Sequence, residues 1–398
     1  MKKITEYDMR KGLKPERIVN AMWDFSWLFC HYPGGPFEHF DKVTDELLDR
    51  YFNAVRIDCF PWIIGNMEDP HGPVTVGGDP LLSWGQTDKD HNHLILEELI
   101  EFVSIAKKKG LYLILSNWGG YGISEYPHAN TTEGQNNTLI KGWERVLEAL
   151  KRNNLLDAVL YVDLDQEFPF FSPVNKALKA LGDEKKDTSG NGGEMEQAGK
   201  RGAFRHLRFN DAQMDFLSEH FTNTLNHFQY IYPEVRFTYS FTDYWEEYRA
   251  IKNKSFDVLQ LHFWMNNPRF DIRTGFGSLE KDRGENDYSD YMHRITATLK
   301  SVRPMLMKEM HNRLKFARAW SEEAAAPIVT TEAWGPWWHM DHPDLSWGWL
   351  REWCAECMQM AVDYGLWGAT PWNFCHPYWN NWKDVEWYRE VNGVFLKG

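Results

Sequence analysis

Apolar positions along this chain follow two alternating rhythms. Short β-branched runs read as strands, and longer stretches with an apolar residue every three or four positions read as amphipathic helices. The strand-like runs are "RIVNAMWDF" (17–25), "NAVRIDCF" (53–60), "LYLILSNW" (111–118), "AVLYVDL" (158–164), "VRFTYSF" (235–241), "FDVLQLHF" (256–263), "PIVTTEAW" (327–334) and "LWGATPWNF" (366–374). Helical patterns cover 41–52, 93–110, 138–153, 211–228, 244–252, stretches within 286–325, 349–365 and 380–391. In the first of these Val43, Leu47, Leu48 and Tyr51 share a face, and Gly110 closes the second.

Strands that alternate with helices imply βαβ units and a parallel sheet. Eight such units in 398 residues fit one α/β domain, a (β/α)8 TIM barrel with long βα loops, spanning about 18–391. A doubly wound open sheet lacks support, because no Gly-rich phosphate turn follows the first strand. One low-complexity stretch, "LGDEKKDTSGNGGEMEQAGKRG" (181–202), reads as a long mobile loop.

A barrel of this kind builds its site at the C-terminal strand ends. Those ends carry Trp23, Asp24 and Trp27; Arg56, Asp58 and Trp62; Asn117 and Trp118; Asp165, Gln166 and Glu167; Tyr239, Asp243 and Trp245; His262 and Trp264; Glu332 and Trp334; and Trp372 and Asn373. The fourth run is the most unusual. A buried-type strand delivers Asp163, Asp165 and Glu167 in five residues, and alternation places them on one face. At least one is expected to pair with Arg56 or another cation. Glu167 and Glu332 stand out as a pair, because each follows an apolar strand and precedes an aromatic residue. A lone strand-end glutamate more often forms a salt bridge or caps a helix. Two on opposite strands suit glycoside hydrolysis, which needs one protonated and one ionised carboxyl across a cleft. Aromatic walls favour the acid form of a carboxyl, and a neighbouring arginine favours the anion.

The strand-end pattern resembles clan A glycoside hydrolases, the cellulase-like barrels related to glycoside hydrolase family 5. Gln166-Glu167-Phe168-Pro169 is similar to that family's Asn-Glu-Pro motif after strand four, whose glutamate is the acid/base. "IVTTEAWG" resembles the strand-seven segment that ends in the nucleophile, here Glu332. "FNAVRID", "LQLHFW" and "WGATPWNF" resemble the segments that carry the buried arginine, the strand-six histidine and the platform tryptophan: Arg56, His262 and Trp372. The resemblance covers about 18–374 and implies β-glycoside cleavage with retention through a covalent glycosyl-enzyme. Arg56 and His262 would hold the carboxylates. Trp372, Trp334 and Trp118, with Asp24, Gln166 and Trp264 beside them, would bind the sugar. Three departures stand out: Gln166 in place of Asn, Asn117-Trp118 where the family has a strand-three histidine, and Phe263-Trp264 where it has an aromatic hydroxyl.

Composition narrows the partners. The chain carries 20 Trp, 17 Tyr and 24 Phe, and many of the tryptophans fall at strand ends, where flat rings suit the C–H faces of a carbohydrate substrate. With 44 Lys plus Arg against 57 Asp plus Glu, the net charge of −13 argues against nucleic acid and anionic membrane surfaces. The N-terminus shows no apolar run, which points to a cytoplasmic protein acting on small imported oligosaccharides or glycosides. Five cysteines without framework spacing read as reduced core thiols. "DHNHL" (90–94), at the opening of a helix, holds an H-x-H pair without the downstream ligands of a metal hydrolase, and "HMDHPD" (339–344) reads as cleft lining or a plain polar loop. No metal or cofactor is implied. Two other readings remain: a catalytically silent carbohydrate-binding barrel, and a metal-dependent hydrolase of non-sugar substrates.

Overall fold

The β-branched runs form strands buried on both faces, as a parallel sheet wrapped in helices requires. The computed structural model describes residues 13–77, 87, 89–119, 132–182, 209–251, 255–265, 288–336, 341, 343, 345–372 and 375–398. The first four barrel strands are Ile18–Met22, Ala54–Asp58, Tyr112–Ser116 and Val159–Asp163. The fifth is split into Phe237–Thr238 and Ser240–Phe241, and the last three are Leu259–Leu261, Ile328–Val329 and Gly368–Ala369. All pair in parallel, and Ile18 opposite Gly368 joins the first strand to the eighth. The half-strand Phe237–Thr238 pairs with the fourth strand, and Ser240–Phe241 with the sixth. The circuit therefore closes through Tyr239.

Apolar residues plug the end of the barrel where the strands begin: Ile18, Ala54, Ile114, Val258 and Val329 pack with Tyr161 and Trp367. Gly368 belongs to this plug, since a Cβ there would meet Val329 Cγ1 at 2.9 Å and Ile18 Cβ at 3.1 Å. Towards the strand ends the buried residues turn polar, with Arg56, Asp163, Ser240, Gln260 and Thr331. The larger core lies between the sheet and the helices. Local signals fix those helices. Asn210 and Gln213 form a reciprocal capping box at the start of Asp211–Ile231. Ile95–Lys108 carries Glu97 and Glu98 in its first turn and Lys107 and Lys108 in its last, matching the helix dipole.

Several elements depart from the sequence reading. Asp90–His93 does not open a helix. It pairs antiparallel with Val74–Gly77 as a hairpin, and the helix begins at Ile95. The 286–325 region contains a single helix, Tyr288–Ala324, which runs through Pro304. The closing segment divides into a 3-10 turn, Asn380–Lys383, and a helix, Val385–Lys397. Residues 183–202 of the expected mobile loop and Asn373 lie outside the described residues, as does most of 339–344. Of that last stretch, Asp341 accepts from the Trp347 indole and from the backbone N–H of Asn380. All five cysteines are buried. Among the described residues, no helix is long and apolar enough to cross a membrane.

Candidate active site

The site is organised around one cation. Arg56 is fully buried on the second strand, and its five N–H groups find five acceptors. Asp24, just past the first strand, takes Nε at 2.9 Å and Nη2 at 2.5 Å. Glu332 Oε1 takes the other Nη2 hydrogen at 2.5 Å. Thr331 Oγ1 and Gln166 Oε1 share Nη1 at 2.5 and 3.2 Å. Burial works against the cation, but Asp24 and Glu332 outweigh it, so Arg56 titrates above its ordinary range. The Trp118 indole and the Ser116 hydroxyl complete the shell of Asp24.

Glu332 and Glu167 meet at His262. The imidazole Nδ1 lies 3.0 Å from Glu167 Oε1 and 3.5 Å from Glu332 Oε2. One oxygen of each carboxyl and one ring nitrogen all fall within 4.8 Å of one another. Burial pushes His262 down to about 4 despite Glu332 beside it, so the ring is neutral near neutral pH. Burial pushes Glu167 up to about 7, helped by the charge of Asp243 and opposed by hydrogen bonds from Trp264 and Thr242 and by Arg56. Burial also raises Glu332, while His262 and the directly bonded Arg56 pull the other way. The two carboxyls thus differ in environment: one is clamped by a guanidinium, the other lies between an imidazole and an indole. By spacing alone the same triad of atoms could hold a metal ion, but Arg56 already neutralises Glu332.

The backbone aims Glu167. Its φ of 46° is left-handed, which a residue with a Cβ adopts only under constraint. The Ser240 hydroxyl accepts from Glu167 N at 2.9 Å and donates to Gln166 Oε1 at 2.8 Å, which ties the turn to the split fifth strand. Gln166 is fully buried, and its Nε2 has no partner among the described residues. At least one of Asp163, Asp165 and Glu167 was expected to pair with Arg56 or another cation; among the described residues Asp163 and Asp165 bond amides instead, and Glu167 meets the neutral His262. Asp163 accepts from the Gln260 amide at 2.7 Å, and Asp165 from the Asn117 amide at 3.2 Å. Burial holds both carboxyls above the ordinary range, Asp165 at about 7.

The four tryptophans of the sequence reading sit differently. Trp264 is half-buried beside Glu167. Trp118 is buried, its backbone N–H on Asp58 and its indole on Asp24. Trp334 is fully buried, donates to the Thr370 carbonyl and packs on Phe263 at 5.6 Å. Trp372 is buried against Gly335, where a Cβ would lie 2.4 Å from its ring. The H-x-H pair lies apart from this group: His91 stacks on Tyr32, and His93 bonds Glu98. Sequence reasoning missed Thr331 and Ser240, which look like ordinary strand residues until Arg56 and Gln166 are placed. It also missed Arg313, whose guanidinium donates to the carbonyls of His262 and Trp264.

Comparison with known proteins bears on the family and the fold. A family model described as sugar-binding cellulase-like matches residues 20–395. No match is found among curated proteins. Among solved structures, a candidate glycoside hydrolase from Parabacteroides distasonis is 25% identical with a TM-score of 0.75, over 95% of this chain and 93% of that one. A hyperthermophilic endo-β-1,4-glucanase solved with substrate is 13% identical at a TM-score of 0.52, over 96% of each chain. A tri-modular family 5 endo-β-1,4-glucanase from Bacillus licheniformis is also 13% identical at 0.52, over 94% of this chain and 59% of that one. The last two likenesses concern the fold alone.

Proposed function

This chain belongs to the sugar-binding cellulase-like family, and on that premise we propose that it hydrolyses β-glycosidic bonds with retention, using Glu167 as acid/base and Glu332 as nucleophile. The carrying observation is the spacing: a Glu167 oxygen and a Glu332 oxygen lie within 4.8 Å. Retaining pairs stand about 5–5.5 Å apart, whereas inverting pairs leave about 6.5–9.5 Å for a water.

The environments divide the roles. Glu167, pushed up to about 7 by burial, carries a proton it can give to the leaving oxygen. Glu332, bonded by Arg56, keeps an anionic oxygen for attack on the anomeric carbon. Attack forms the C–O bond to Glu332 as the glycosidic C–O bond breaks and the Glu167 proton moves to the departing alcohol. Glu167, now ionised, takes a proton from water, whose oxygen displaces Glu332 and restores both carboxyls. His262, neutral and between the two, donates Nδ1–H to whichever oxygen carries charge. Gln166 Nε2 is free to bond a sugar hydroxyl, and Trp264 offers a ring to a sugar face. Trp118, Trp334, Trp372 and Asp24 brace the walls and the arginine. The substrate class is an oligosaccharide or glycoside, with no step assigned to a metal or cofactor.

The test is turnover of aryl β-glycosides by the wild type, Glu167→Ala and Glu332→Ala, with and without azide. Both variants should fall by several orders of magnitude, and azide should rescue them to products of opposite anomeric configuration. Sugar binding without any wild-type turnover would favour a silent binding barrel. Full activity in Glu332→Ala would overturn the assignment.

A further inference from the structure

The fifth strand leaves the barrel early, and this creates a problem for the sixth. Ser240 pairs with Gln260, and His262 N donates to Phe241 O at 3.0 Å, so alternate residues of the sixth strand face the fifth along one edge. The carbonyls of His262 and Trp264 lie on that edge. Beyond Phe241 the chain turns away through Tyr244, whose φ is 56°, into the helix Trp245–Ala250. Among the described residues no backbone N–H of the fifth strand bonds those carbonyls, and buried carbonyls need partners.

Arg313 supplies them. It comes from the long helix Tyr288–Ala324, outside the barrel. Its Nη2 donates to His262 O at 2.8 Å and its Nη1 to Trp264 O at 2.7 Å. The guanidinium plane lies over Trp245 at 4.6 Å and beside Phe263 at 5.6 Å, so aromatic faces fix the fork. Burial lowers its pKa to about 10, with Asp243 and Glu309 opposing, so it remains a cation near neutral pH. The other edge of this segment is already fixed, because Phe263 N donates to Glu332 O and Met265 N to Gly335 O. Both residues that Arg313 grips bond Glu167 through their side chains: His262 at 3.0 Å, and Trp264 through a side-chain hydrogen bond.

We propose that Arg313 is a positioning residue for acid catalysis: it replaces the missing strand edge and so aims the His262 imidazole and the Trp264 indole at Glu167. This rests on the reading of Glu167 as the acid/base. The charges facing the fork are Asp243 and Glu309, and those facing Glu167 are Asp243, Arg56 and Glu332.

The experiment compares wild type, Arg313→Met and Arg313→Lys on two β-glycosides of one sugar, one with a dinitrophenyl and one with an alkyl leaving group. In the first, bond-breaking step the alkyl glycoside needs the acid and the dinitrophenyl glycoside does not. In Arg313→Met, kcat/KM, which reports that step, should fall about 100-fold for the alkyl substrate and about threefold or less for the dinitrophenyl substrate, since general acids supply about 100- to 10,000-fold. Arg313→Lys should recover part of the loss. Equal losses on both substrates, or none, would overturn the inference and leave the glycosidase reading intact. A second readout does not need turnover. The Nδ1 proton of His262 should give a slowly exchanging NMR signal in the wild type and lose it in Arg313→Met. Its persistence in a folded Arg313→Met would overturn the clamp. If the wild type cleaves nothing, the glycosidase reading falls and the NMR comparison decides the clamp by itself.

Discussion

Arg56, from the middle of the second strand, donates to Glu332, at the end of the seventh, across 2.5 Å. The same guanidinium bonds Asp24, Thr331 and Gln166, so every donor it owns is committed. A lysine there keeps the charge and loses the fork. Arg56→Lys should lower kcat/KM by about 100-fold or more, while Arg56→Ala should cost about 3–5 kcal/mol of stability by leaving buried carboxylates unpaired. Kinetics together with urea unfolding separate the two effects. Unchanged stability in Arg56→Ala would contradict the network.

The acid role of Glu167 fixes the direction of the pH profile. Its folded value lies near 7, and catalysis requires the protonated form, so kcat/KM should fall as pH rises through that value. Asp243 contributes a negative charge that raises Glu167. Asp243→Asn should therefore move the descending limb to lower pH. A shift to higher pH would show that Asp243 acts some other way.

Asp165 gives a stability test independent of catalysis. It is 1% exposed, and burial lifts its carboxyl from 3.8 to about 7. A raised carboxyl takes up a proton on folding, so its cost is absent below about pH 4, grows as pH rises towards 7, and is complete above. The full cost is at most about 4 kcal/mol. Asn can still accept from Asn117 and Ser172 without titrating. Asp165→Asn should gain on the wild type at pH 8 and show little difference near pH 4, by thermal or urea melts at both. An Asn variant less stable at pH 8 would sink the idea.

Gly335 allows Trp372 its position. A Cβ at 335 would lie 2.4 Å from both the Trp372 ring and Leu350 Cδ1. Gly335→Ala should cost about 1–3 kcal/mol by overpacking and raise KM more than it lowers kcat, with a change in tryptophan fluorescence. An unchanged KM would show that Trp372 does not brace a sugar-binding wall.

Much of this was legible because each strand is an apolar run with a polar stop. Such runs placed eight strands and brought Arg56, Glu167, His262 and Glu332 to one end. The hairpin was hidden because "DHNH" lacks apolar alternation, and among its residues only His93 is buried. Thr331 and Ser240 were hidden because a β-branched or small residue at a strand end carries no mark of its partner. Alternation put Asp163, Asp165 and Glu167 on one face with a cation expected for at least one, but it carries no mark of the Gln260 and Asn117 amides that meet Asp163 and Asp165. Arg313 lies about fifty residues beyond the segment it grips, on a helix whose pattern records only burial.

The uneven strand pairing has a consequence for how the barrel breathes. Five paired residues join the second strand to the third, while a single pair, Val329 with Gly368, joins the seventh to the eighth. Local opening follows the sparser ladders, so amide exchange should be slowest over Ala54–Asp58 and Tyr112–Ser116 and faster around the half that ends in His262 and Glu332. The first half is the anvil, which holds Arg56 still. The second is the jaw, which brings its two groups to that fixed charge through fewer paired residues.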